Sequence, residues 1–151
     1  MKLTIVSVGG LRGSAERELC AEYLERLAHY CKVQELVVKP DTPAREAVAI
    51  AKACGGASVL LCDERGRAMS SPELARKVST LGSRGKGEVA FVIGGAHGLP
   101  AEVDVALSSA ASVERWSFSP LTFPHRLARV ILSEQLYRAM TILRGEPYHH
   151  A

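Results

Sequence analysis

Hydrophobic and polar positions alternate between two rhythms along this chain. Leu3–Val8 is a run of β-branched and apolar residues that reads as a strand, and Gly9, Gly10 and Gly13 break it. Helical spacing then takes over. Leu19, Cys20, Tyr23, Leu24, Leu27 and Cys31 predict an amphipathic helix from Ser14, as cap, to about Tyr30. Val33–Val38 is a second strand. Thr42 then caps a helix with Pro43 in its first position, lined by Ala47, Val48, Ala51 and Cys54 and ended by Gly55-Gly56.

Ser58–Cys62 is short and wholly apolar, as a central parallel strand requires, and Asp63–Arg67 reads as a charged turn. A helix opens at Ser71-Pro72-Glu73 and buries Leu74, Ala75, Val78 and Leu81. A basic glycine loop, 82–87, leads to a buried strand Val89–Ile93. The turn Gly94–Gly98, a short helix after Pro100, a last strand Ser112–Trp116 and a long helix from about Arg126 to Leu143 complete the series. Strands alternating with helices predict an α/β fold: a mainly parallel sheet flanked by helices, in one domain over residues 1–151. Ligands of such sheets bind at the carboxyl ends of the strands, which here carry Cys62, Gly94 and the loop 117–124.

The closing helix carries a further signal. Leu132, Leu136, Ala139, Met140 and Leu143 form one apolar face, while Leu127, Val130, Ile131 and Tyr137 spread onto another. A helix apolar on two sides is buried on two sides, and a second copy of the chain is the expected cover.

Composition narrows the class only slightly. With 151 residues, 47% hydrophobic and 23% charged, the chain has an ordinary globular balance. Its net charge of +3 permits a polyanionic partner without demanding one. No apolar run is long enough for a signal peptide or a membrane span, so a cytosolic protein is expected. Cys20, Cys31, Cys54 and Cys62 show no CxxC spacing and read as reduced thiols. No HxxxH or HExxH pair occurs, so no metal site is expected, and there is no P-loop.

The candidate chemistry lies late in the chain. Gly94-Gly95-x-x-Gly98 lets main chain approach a ligand, or simply makes a tight strand-to-helix turn; both readings stand. Phe118, Ser119, Pro120, Leu121, Thr122 and Phe123 can enclose an adenine, or tuck onto the core as an ordinary loop. Arg126, Arg129 and Ser133 share a helical face, with Arg138 and Arg144 beyond. They are suited to phosphates or to a solvated surface, and Glu134 can pair with Arg138 at i+4. Tyr148-His149-His150 reads on its own as a frayed end that Gly145 and Pro147 could fold back.

The opening MKLTIVSVG, FVIGGAHGL at 91–99, SFSPLTFPH at 117–125 and LYRAMTILRGEPYHH at 136–150 resemble one family along the whole chain. It is the bacterial SPOUT-class methyltransferases that act on a pseudouridine of 23S ribosomal RNA, the ribosomal RNA large-subunit methyltransferase H family. The resemblance implies a C-terminal trefoil knot over about residues 88–150, a rare exception to unthreaded chains. It implies S-adenosylmethionine held by Cys62, Gly94 and Phe118–Phe123. It implies a homodimer in which the tail of one subunit completes the pocket of the other, methylating N3 of the base on the ribosome. Tyr148, His149 and Arg129 are the catalytic candidates on that reading. Two positions depart from the family pattern: His150 replaces a usual Arg or Lys, and His97 a usual Glu or Asn. A non-catalytic RNA- or ribosome-binding dimer is the alternative, and a flavodoxin-like or dinucleotide-binding domain a weaker third.

Overall fold

The computed structural model describes residues 1–150. Strand β1 (Lys2–Val8) is followed by α1 (Ser14–Ala28), β2 (Lys32–Val38), α2 (Pro43–Cys54), β3 (Ser58–Ala68) and α3 (Ser71–Gly82). Then come β4 (Glu88–Ile93), α4 (Val103–Ala106), β5 (Ser112–Ser117) and α5 (His125–Arg144). The five strands form one wholly parallel sheet in the order β2-β1-β4-β3-β5. The α/β fold read from the sequence is therefore the one observed.

Burial follows from that order. β1, β4 and the first half of β3 lie inside the sheet and are apolar on both faces, whereas edge strand β2 is mostly half-exposed. On one face Leu3, Ile5, Leu60, Phe91 and Trp116 pack with Leu27 of α1, Leu74 and Val78 of α3, and Leu132, Leu136 and Met140 of α5. On the other, Val6, Val59, Ala90 and Val92 pack with Ile50 of α2 and Val103 of α4. The sheet is thus covered on both sides.

Local chemistry sets the helix ends. Thr42 caps α2 through the Arg45 N–H, with Pro43 behind it, as read. α3 is better capped than its sequence suggested, because Ser70 and Glu73 form a reciprocal capping box. At α1 the expected cap fails: Gly13 precedes the helix, Ser14 is already inside it, and no side chain caps it. A Schellman motif closes α5, with Gly145 left-handed at φ 68° and Glu146 N–H bonded to the Thr141 carbonyl at 2.9 Å.

One expectation needs correction. Residues 63–67 are not a turn. β3 continues through them to Ala68, with a register shift against β5 between Cys62 and Arg67. Asp63 is held by Arg115 at 2.6 Å and by Arg65 at 3.1 Å, which draws its carboxyl below the ordinary carboxylate range, Arg65 being the larger cause. Ion pairing along the edge replaces the apolar contacts that normally mark a strand. The second apolar face of α5 is covered by its own chain only in part. Tyr137 packs against Tyr23, Tyr30 and Tyr148. What remains outside is Leu127, 47% exposed, together with Leu19 of α1, 43% exposed. A 3.7 Å Arg126–Glu16 pair ties the first turns of these two helices together.

Gly66 sits where β3 crosses β5 most closely: a Cβ there would lie 2.6 Å from main-chain atoms of Arg115 and Trp116. Gly66→Ala should therefore cost about 1–3 kcal/mol of overpacking, read as a lower urea midpoint at unchanged slope.

Candidate active site

Since the strands are parallel, the segments that leave β4 and β5 emerge beside the second half of β3. They enclose a cavity of about 870 Å³, lined among others by Cys62, Gly94, Phe118, Ser119, Leu121, Thr122 and Phe123. Seven of the eight ligand-binding candidates therefore meet in one place. Pro120 is outside the lining and shapes the loop. His125 and Ala128, at the start of α5, close the far wall, and His97 stands on the rim.

The turn at Gly94 serves both readings offered by the sequence. It is tight, with the Gly98 N–H bonded to the Gly95 carbonyl at 3.0 Å and Gly98 at φ 77°. It is also a cradle. A Cβ on Gly94 would lie 2.4 Å from the Gly98 carbonyl carbon, so only glycine lets this backbone line the cavity. Opposite, the Ser117 hydroxyl donates to the Ser119 carbonyl at 2.9 Å, and the Ser119 hydroxyl accepts from Leu121 N–H at 3.1 Å. These bonds and the two prolines stiffen the loop.

The walls differ in character. Trp116 and Phe118 meet edge to face at 4.5 Å, giving an aromatic corner. The indole N–H of Trp116 is buried without a partner. Burial pushes the Cys62 thiol pKa up, so this residue is an apolar wall and not a nucleophile. At the mouth Glu64 accepts a 2.6 Å bond from the Thr122 hydroxyl and has no cation paired with it, whereas Asp63 is neutralised by Arg65 and Arg115. The site is an aromatic and glycine-lined slot with one carboxylate, Glu64, that no cation pairs with among the described residues, which suits a heterocycle carrying a cationic group.

The three catalytic candidates lie outside it. Arg129 is 3% exposed, donates to the Gly9 carbonyl at 3.1 Å and pairs with Glu35. So held, it faces no phosphate; it fastens α5 to the end of β1. Its position on one helical face with Ser133 was legible, but the partners on β1 and β2 were not. Tyr148 and His149 fold back along α5. Tyr148 donates to Glu134 at 3.0 Å and rests on Tyr137 at 4.7 Å. Arg138 clasps Glu134 through Nε at 2.9 Å and Nη2 at 2.6 Å, lies 4.8 Å from the Tyr148 ring centroid, and reaches His149 Nδ1 at 3.2 Å. The tail is an ordered arm, not a frayed end. Neither Tyr148 nor His149 lines the cavity.

Two residues that sequence reading passed over hold this arm. Glu134 was visible only as an ion-pair partner, yet it organises both Arg138 and Tyr148. Glu146 accepts a 2.5 Å bond from Tyr30, whose hydroxyl pKa is thereby pushed up to about 12. Arg84 and Lys86, in the basic glycine loop 82–87, precede β4 and so lie at the opposite edge of the sheet from the cavity. Among the described residues no helix is long and apolar enough to cross a membrane, and no His, Cys, Asp and Glu cluster could hold a metal ion.

Comparison with known proteins agrees along the full length. A family described as "Predicted SPOUT methyltransferase" matches residues 1–149. The chain is similar to a Ribosomal RNA large subunit methyltransferase H from Sorangium cellulosum, 49% identical with 99% of this chain and 100% of the relative covered. One of the same name from Polynucleobacter asymbioticus is 44% identical, with 99% of each covered. Among solved structures, a probable methylase family protein from Haemophilus influenzae Rd KW20 superposes with a TM-score of 0.55. At 15% identity over 99% of this chain and 70% of that one, this likeness concerns the fold alone.

Bonds to a charged carboxylate contribute roughly 1.5–3 kcal/mol each, so Glu134→Ala should raise amide exchange across 146–150 by about tenfold or more. Exchange in β1, β3 and β4 should stay as in the wild type, read by mass spectrometry.

Proposed function

The chain belongs to the SPOUT methyltransferase family, and from that premise we propose that it transfers a methyl group from S-adenosylmethionine to N3 of a pseudouridine in 23S ribosomal RNA. The observation that carries this reading is the convergence of Cys62, Gly94 and the 118–123 loop on one cavity. Those segments are distant in sequence and bear the family's cofactor motifs. The proposal extends to a single domain over 1–151, to a trefoil knot over about residues 88–150, and to action in the cytoplasm on the assembled ribosome.

The cavity suits the cofactor on its own terms. The Gly94 backbone and the stiff loop offer main-chain groups to an adenine, Trp116 and Phe118 give it an aromatic wall, and Glu64 supplies a counter-charge. Bound there, S-adenosylmethionine supplies an electrophilic methyl on a cationic sulfur. The protein's own work is to hold the base in line and to exclude water. Well-oriented reactants can gain up to roughly 7–11 kcal/mol in this way. Leu127 and Leu19 are left for a second copy to cover, and the tail leaves its own cavity incomplete. We therefore assign Tyr148 and His149 to the cavity of the partner in a homodimer, an isologous arrangement. Arg138 orients the tail, and Arg129 acts from behind by fixing β1.

Gly94→Val should abolish S-adenosylmethionine binding, seen calorimetrically or as loss of the ligand-induced change in fluorescence of Trp116, the only tryptophan. Ribosomes from cells lacking the protein should accept labelled methyl at a single pseudouridine of 23S RNA. Ribosome binding without any incorporation would instead support the non-catalytic reading. Mixing and reassembling Gly94→Val with His149→Ala subunits should restore about a quarter of wild-type turnover, because half the dimers would then hold one intact site. No recovery, with heterodimers shown to form, would exclude a site shared between subunits.

A further inference from the structure

The bonds that hold the tail also fix which nitrogen of His149 carries a proton. Arg138 spends Nε and Nη2 on the Glu134 carboxylate, at 2.9 and 2.6 Å. Its remaining arm, Nη1, lies 3.2 Å from His149 Nδ1. A guanidinium has only donors, so the Nδ1 atom facing it must accept. An imidazole that accepts at Nδ1 is neutral and bears its proton on Nε2. The guanidinium is not free to swing away. Glu134 grips it in a fork, and the Tyr148 ring lies under it at 4.8 Å while the Tyr148 hydroxyl donates to the same carboxylate oxygen at 3.0 Å. Were His149 to carry a proton on Nδ1, two N–H donors would face each other across 3.2 Å.

We propose that His149 is held by Arg138 and Glu134 as its Nε2–H tautomer, and that it offers the pyrimidine a hydrogen-bond donor and not a base. This rests on the methyltransferase reading above and specifies the chemistry at the same site. When N3 of the base gives up its proton, negative charge spreads onto the two flanking carbonyl oxygens. A fixed N–H aimed at one of them stabilises that charge without transferring a proton. The acceptor of the N3 proton is then another group or solvent. Arg138 and Glu134 are positioning residues: they reach the base only through the ring they orient.

Two measurements on the intact dimer test this. In protein labelled with ¹³C and ¹⁵N at histidine, the His149 ring, assigned by its loss in His149→Gln, should show the nitrogen and Cδ2 shifts of a neutral Nε2–H imidazole. Arg138→Leu should release it to a mixture of tautomers. A wild-type ring protonated at Nδ1, or at both nitrogens, would overturn the proposal. In methyl transfer to ribosomes, His149→Gln places an amide N–H near the position of Nε2 but cannot take up a proton. It should retain activity within about tenfold of wild type, whereas His149→Ala should lose about 100-fold or more, as when a fixed donor is removed from a developing oxyanion. Equal loss in the two variants would refute the donor role. A wild-type dimer that methylates no ribosome would sink the methyltransferase reading and the catalytic half of this proposal, while the ring shifts would still decide the tautomer.

Discussion

A single constraint governs this molecule: all five strands point the same way. Parallel pairing sends every strand-to-helix connection out at one edge, whatever the distance in sequence between the strands. With β4 between β1 and β3, and β5 beyond β3, the segments after Ile93, Cys62 and Ser117 become neighbours. The cavity is a product of strand order. Its lining then needs only residues that tolerate close backbone approach, such as Gly94, and residues that resist collapse, such as the aromatic pair and the prolines.

The second organising element is a carboxylate far from that edge. Glu134 lies a little past the middle of α5 and gathers Arg138 and Tyr148, so that a segment which could wave in solvent is laid along the helix. The Schellman motif at Gly145 turns the chain back at the right point, and the Tyr30–Glu146 bond pins the turn to the end of α1. Scaffold and arm therefore belong to one rigid unit. An arm already ordered costs less entropy to engage a target than one that must be fixed on contact.

Much of this was legible in the sequence, and the misses have common causes. The strands declared themselves because buried parallel strands are continuous apolar runs, and Thr42-Pro43 declared a helix start by its chemistry. The second half of β3 was hidden because Asp63 and Arg65 are held by ion pairing, Glu64 by the Thr122 hydroxyl and Gly66 by close backbone contact, not by burial. Arg129 was hidden for the opposite reason: it is a charged residue in the interior, held by Gly9 just past β1 and by Glu35 on β2, partners that no local pattern names. The spread of apolar residues around α5 was read as a call for an external cover; three tyrosines from elsewhere in the chain meet Tyr137, while Leu127 stays exposed. The site motifs were visible as glycine and proline spacing. Their meeting in space follows from topology, which spacing alone does not encode.

Strand order also dictates when this protein can mature during synthesis. β1 reaches its inner neighbour only after residues 88–93 are made, and β3, which pairs with β4 and β5, has no partner at all among earlier strands. A ribosome that has translated the first eighty residues therefore carries β3 unpaired and β1 paired on one side only. Such non-local pairing slows folding and leaves sticky edges open to other chains. The nascent chain must be shielded until its last strand and closing helix emerge.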